Sequence, residues 1–238
     1  MNAPQEPIAP AASSLAALID EHAPALEAAV LAGLRDQLAG SVKFIFQPAE
    51  EMPPEGEDGG AKMMIAEGAL ENPRPGAIFG LHVTSRQNTG RVGWRSGPVM
   101  ASSDYFRIDV QGRQTHGAAP WLGVDPIVTS AQIVLGLQTI VSRTQEITKE
   151  PAVVTVGVIK GGVRENIIPD AVQMRGTIRT FDEGMRDDIH ERVTTLAEAI
   201  ARGNRAGCQV CVQKNYPVTV NDPVSQRSRS SARASAER

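Results

Sequence analysis

The sequence predicts a mixed α/β chain in which an incomplete α/β region precedes a ferredoxin-like α+β unit. Three observations carry that reading. Past Gly97 the apolar pattern switches between period 2 and period 3.6 in the order β-α-β-β-α-β, which builds a compact sheet with two helices on one face. Before Gly97, strand-like and helix-like segments occur but are too few to close a doubly wound sheet. From Pro223 onward no apolar periodicity remains, and the Ser- and Arg-rich tail is expected to be disordered.

Residues 1–14 are rich in Pro and Ala and predict a loose start. From Ala23 to Leu38, the residues Leu26, Val30, Leu31, Leu34 and Leu38 recur at spacings of three and four, an amphipathic helix closed by Gly40. Val42 to Phe46 is a short apolar run suited to a buried strand. "MPPEGEDGG" is a loop by composition, "AKMMIAEGAL" a helix, and "AIFGLHV" a second buried strand ending near His82. The larger unit then reads "SDYFRIDVQG" as a strand, "DPIVTSAQIVLGLQTIVSR" as a helix, "AVVTVGVIKGG" and "AVQMRGTIRTF" as strands, "EGMRDDIHERVTTLAEAIARG" as a helix and "CQVCVQKNY" as a strand. The expected domains are 1–97, a partial α/β domain; 98–216, the ferredoxin-like unit; and 217–238, a stub of the first domain with the tail.

Composition sets loose bounds. The chain has 238 residues, 41% hydrophobic and 21% charged, with a formal charge of -3, so no overall charge draws it to nucleic acid or an anionic membrane. The opening residues lack the basic and apolar regions of a secretory leader, nothing approaches a membrane span, and the expected location is the cytoplasm. Cys208 and Cys211 form a C-x-x-C, but on a strand positions three apart face opposite ways, which favours structural thiols over a zinc or redox pair.

"KFIFQPAEE" runs from an apolar stretch into adjacent carboxylates, Glu50 and Glu51. Two neighbouring anions repel unless a cation or a shared proton compensates. A divalent ion supplies that compensation, and a carboxylate beside it can take a proton from bound water.

The segments "FQPAEE", "GGAKMMIAEGALENPRPGAIFGLHV", "GPVMASSDYFRIDVQGRQTHGAAPWLGVDPI", "GGVRENIIPDAVQMRGTIRTF" and "YPVTVND" resemble the N-acyl-amino-acid amidohydrolases. That group, which includes hippurate hydrolase and indoleacetyl-amino-acid hydrolase, belongs to the metallo-aminoacylase and carboxypeptidase superfamily. The resemblance runs from about Val30 to Asp222. It implies a zinc-peptidase-like catalytic domain with an inserted ferredoxin-like lid and dimerisation domain, two divalent ions, zinc or manganese, and an N-acyl amino acid as substrate. It gives Glu50 the role of general base and makes Glu51 and His82 metal ligands. His116, in "GRQTHGAAP", becomes the lid residue that reaches the partner subunit's active site to polarise the scissile carbonyl. Asn166, in "RENIIP", and Arg179, in "GTIRT", hold the substrate carboxylate, although Arg179 reads equally well as a solvated strand residue. His190, in "RDDIHERV", reads as part of a solvated helix face.

The family's C-G-H-D-x-H segment upstream of the doublet is not matched here. "DEH" at His22 lies out of register with it and reads as coincidence. A final metal-binding His far downstream is also unmatched. With Glu51 and His82 as the remaining ligands, the expectation is a metal site too sparse for turnover by this chain alone, and a frameshift or a misplaced end of the open reading frame is the expected origin of both the unmatched start and the tail. Two classes stay open: a metal-dependent amidohydrolase, and a non-catalytic dimerisation module left from a truncated amidohydrolase gene.

Overall fold

The computed structural model describes residues 28–50, 60–88 and 91–223. The expected loose start, the first part of the Ala23–Leu38 helix, His22, Glu51, the "MPPEGEDGG" loop up to Gly59 and nearly all of the tail lie outside them. The chain divides into two units, residues 1–86 and 87–238.

In the first unit, residues 28–33 form helix α1, followed by a 3-10 turn at Arg35–Gln37, and Gly60–Ala66 forms helix α2. The two expected buried strands are not there. Residues 41–47 and 77–84 form neither helix nor strand, and their apolar side chains, half-buried Ile45 apart, are exposed, among them Phe46, Ile78, Phe79 and Leu81. A strand exists only by hydrogen bonding to a neighbour, and among the described residues of this unit no second strand supplies one. Phe44 and Phe46 stack with centroids 6.4 Å apart, and the Lys43 ammonium donates to the Glu71 carbonyl at 2.6 Å.

Among its described residues the second unit holds eight strands and two long helices: β1 (Gly97–Met100), β2 (Ser103–Gln111), β3 (Thr115–His116), α3 (Pro126–Thr139), β4 (Ala152–Gly161), β5 (Ile167–Ile168), β6 (Ala171–Thr180), α4 (Glu183–Gly203), β7 (Gly207–Tyr216) and β8 (Thr219–Asn221). Strands β4-β6-β2-β7 form one antiparallel sheet in that order, the ferredoxin-like arrangement expected. Strand β1 pairs with β8 and β3 with β5 in two small ribbons.

Alternation explains how the sheet acquires its core. In β2 the even-numbered Asp104, Phe106, Ile108 and Val110 are buried, while Arg107 and Gln111 are exposed. Facing them on α3 are Thr129, Ser130, Ile133 and Leu137, and on α4 Ile189, Val193 and Ala197, at helical spacing. Ile108, Ile133, Leu137, Met174, Ile178 and Ile189 are fully buried, each contributing about 1.5–3 kcal/mol on transfer from water. Helix α3 starts where Asp125 accepts the Ile127 and Val128 amides at 2.8 and 3.1 Å, with Pro126 in the first turn, where its missing N–H costs nothing. It ends in a π turn at Ile140–Thr144.

Cys208 sits opposite Val110 on the helix-covered face and Cys211 opposite Arg107 on the open face, so the two thiols do point to opposite sides. Burial pushes the Cys208 thiol up to about 11.

One sequence expectation fails inside α4. His190 is not part of a solvated face but is buried, and its Nε2 lies 2.9 Å from Asp104 Oδ2. The carboxylate can only accept, so Nε2 carries the proton. Arg186, one turn earlier and also buried, grips the same carboxylate at both ends, Nε to Oδ2 at 2.7 Å and Nη2 to Oδ1 at 2.6 Å. The Asn215 amide supplies a further donor at 2.9 Å.

Candidate functional site

Two of the candidate residues, His116 and Asn166, come close together in the second unit. Strands β3 and β5 are two residues each, and their antiparallel pairing sets His116 opposite Ile167 and Thr115 opposite Ile168. One residue further on, the Gly117 amide donates to the Asn166 carbonyl at 2.7 Å. His116 and Asn166, fifty residues apart in sequence, thus stand at adjoining positions of one short ribbon. Both are exposed.

The imidazole of His116 is oriented by its own turn. The Ala118 amide donates to Nδ1 at 3.0 Å. A ring nitrogen that accepts from an N–H carries no proton itself, so the neutral ring holds its proton on Nε2. His116 is therefore set up to donate a hydrogen bond outward from Nε2, the capacity needed opposite a carbonyl or carboxylate oxygen.

Arg179 is not brought to this pair. It lies near the far end of β6, eight residues beyond Ala171, or roughly 26 Å along the strand at 3.3 Å per residue. Its guanidinium is engaged locally, 5.9 Å above the Tyr105 ring and 3.5 Å from the Ser102 carbonyl, which it contacts as donor.

In the first unit, Glu50 is exposed and follows Ala49, whose φ of 49° is left-handed, a conformation costing a residue with a Cβ roughly 1–2 kcal/mol. His82 is exposed on the 77–84 segment, with Nδ1 against the Val83 carbonyl. Among the described residues, no group of three or more His, Cys, Asp or Glu side chains is placed to hold a metal ion. The described donors do not make the cage that two divalent ions require.

The sequence reading missed Asp104, Arg186 and Asp170. Asp104 carried a signal, since it shares the even-numbered register of the apolar residues in "SDYFRIDVQG" and so belongs to the buried face. Asp170 carried none within its own segment, because the Gln114 amide that its Oδ1 accepts at 2.8 Å lies 56 residues earlier.

A family model for peptidase family M20/M25/M40 matches residues 23–238. The chain belongs to that peptidase family. Among similar proteins, thermostable carboxypeptidase 2 of Saccharolobus solfataricus is 38% identical over 190 residues, covering 79% of this chain and 47% of the relative. The N-acyl-L-amino acid amidohydrolase of Geobacillus stearothermophilus is 34% identical over 194 residues, covering 82% and 50%. Among solved structures, the Bacillus subtilis YXEP protein, described as a dinuclear metal binding peptidase from the M20 family, superposes with a TM-score of 0.68 at 33% identity, covering 88% of this chain and 51% of that one. The chain spans about half the length of the relatives it matches. Among the described residues, no helix is long and apolar enough to cross a membrane.

Proposed function

We propose that this M20 chain serves the hydrolysis of the amide bond in N-acyl amino acids, its ferredoxin-like unit acting as the lid and dimerisation domain. The observation that carries the reading is the β3–β5 ribbon, which sets an Nε2–H donor on His116 beside Asn166. A donor aimed at the substrate carbonyl strengthens its bond as charge develops on the oxygen, an effect of about 2.7–4 kcal/mol when one such donor is removed elsewhere. Asn166 offers an amide for the substrate carboxylate. On this reading Glu50 is the base, and Glu51 and His82 belong to the set that binds two divalent ions, zinc or manganese. The described residues do not gather those donors, so the role argued here from geometry is that of the ribbon.

A homodimer formed through the lid fits the position of Arg179. Some 26 Å of strand separates it from the ribbon within one chain, whereas His116 from one subunit and Arg179 from the other can meet at a shared site. The proposed setting is the cytoplasm, with no nucleic-acid or membrane partner.

The test is hydrolysis of N-acetyl and N-benzoyl amino acids by the full chain supplied with zinc or manganese. His116→Ala is expected to lower kcat by about 10²–10³-fold with little change in KM, and Glu50→Gln to abolish turnover. A second reading is a non-catalytic dimerising module. It predicts a concentration-dependent dimer with no turnover under either metal.

A further inference from the structure

Strand β2 buries its even-numbered residues, so an uninterrupted continuation sends the even-numbered His116 to the covered face as well. It is exposed instead. The reason is a change of register between two ladders. Strand β2 pairs with β6 so that Gln111 opposes Ala171, and the next rung is the Gly112 amide donating to the Asp170 carbonyl at 2.7 Å. In the following ribbon Thr115 opposes Ile168. From Gly112 to Thr115 the chain advances three residues, and from Asp170 to Ile168 two, so one strand carries an extra residue, as in a bulge. The slip brings the odd-numbered Thr115 opposite buried Ile168 and puts His116 outside.

An extra residue leaves a backbone amide without a carbonyl across from it. Here the side chain of Asp170 fills the gap, its Oδ1 accepting the Gln114 amide at 2.8 Å. Asp170 thus holds the slip twice, by carbonyl at Gly112 and by carboxylate at Gln114. The rest of the excursion is fixed by Arg113, which exchanges amide and carbonyl bonds with Val124 at 2.9 and 3.0 Å. Gly112 permits this approach, since a Cβ there would lie 2.4 Å from the Val124 carbonyl oxygen.

We propose that Asp170 is a positioning residue, whose carboxylate locks the one-residue slip that turns His116 outward and seats its Nδ1 on the Ala118 amide. The use of His116 rests on the functional reading above; the lock does not.

The experiment compares the full chain with Asp170→Ala and Asp170→Asn, by amide hydrogen exchange at Gln114 and Ala118 and by the ¹⁵N signals of the His116 ring. Asp170→Ala is expected to speed exchange at both amides by about tenfold, the scale of one lost hydrogen bond to a charged acceptor, and to turn the single Nε2–H signature into a mixture of tautomers. Asp170→Asn keeps an oxygen acceptor and is expected to stay within about twofold of the parent. Parent-like exchange and ring signals in Asp170→Ala overturn the proposal. If that variant does not fold, the parent chain decides: Gln114 and Ala118 amides exchanging at open-chain rates overturn the lock, and protected amides support it. A chain that cleaves no N-acyl amino acid yet shows these signatures refutes the functional reading and leaves the lock standing.

Discussion

Replacing Asp104 by Ala should be among the most damaging single changes in the second unit. The carboxylate is fully buried and accepts four bonds: two from Arg186, one from His190 and one from the Asn215 amide. Its loss leaves the buried Arg186 guanidinium with the exposed Glu183 carboxylate at 2.9 Å and the Tyr216 carbonyl at 3.3 Å, and removing the buried partner of such a pair costs about 3–5 kcal/mol. For a chain of this length that corresponds to a fall in Tm of roughly 6–20 °C. Urea denaturation followed by far-UV circular dichroism reads it as a lowered midpoint with unchanged slope. Exchanging both partners, Asp104→Leu with Arg186→Met, removes the charge together with its complement and should recover about half of the loss or more. The same group sets an acid limit. Burial alone raises the Asp104 carboxyl, but the Arg186 and Asn215 hydrogen bonds and the nearby positive charges outweigh it and hold it below the ordinary carboxylate value. A depressed folded value means the stabilisation is fully present above the unfolded carboxyl, near pH 4, and drains away as pH falls through the folded one. A single variant losing less than about 1 kcal/mol, the scale of an exposed ion pair, would refute the reasoning.

Two further outcomes test the sheet. Gly176→Ala places a Cβ 2.1 Å from the Thr155 carbonyl oxygen and 2.2 Å from the Phe106 ring; because one of those atoms is backbone, a loss of about 1–3 kcal/mol in a thermal melt is expected, and an unchanged Tm contradicts the β4–β6–β2 packing. Alkylation at pH 8 should modify exposed Cys211 rapidly and half-buried Cys208 slowly, since burial raises the latter's thiol to about 11; Cys211→Ser should remove the fast phase, and its persistence would mean that β7 is in another register.

What the sequence disclosed was whatever a local period can encode. The ferredoxin-like order, the extent of α4 and the opposed faces of Cys208 and Cys211 all follow from alternation within one segment. The 42–46 and 77–83 runs misled because apolar character states a wish for burial, while a strand also needs a partner that no local window contains. His190 misled in the opposite direction. Its polar neighbours Asp187, Asp188, Glu191 and Arg192 masked its place on the inner row with Arg186 and Val193, and the carboxylate that makes its burial tolerable is supplied 86 residues earlier by Asp104. His116 and Asn166 stood out as candidates through motifs that resemble the family's, but their adjacency in the ribbon depends on pairing across fifty residues.

The β1–β8 ribbon sets Gly97 directly opposite Asn221, whose side-chain amide donates to the Arg95 carbonyl at 2.8 Å. The polypeptide therefore arrives and departs through the same doorway, with its two crossing points a single strand spacing apart. Segments with such neighbouring ends behave as cassettes: residues 97–221 can be spliced into a surface turn of an unrelated host without pulling either end out of place.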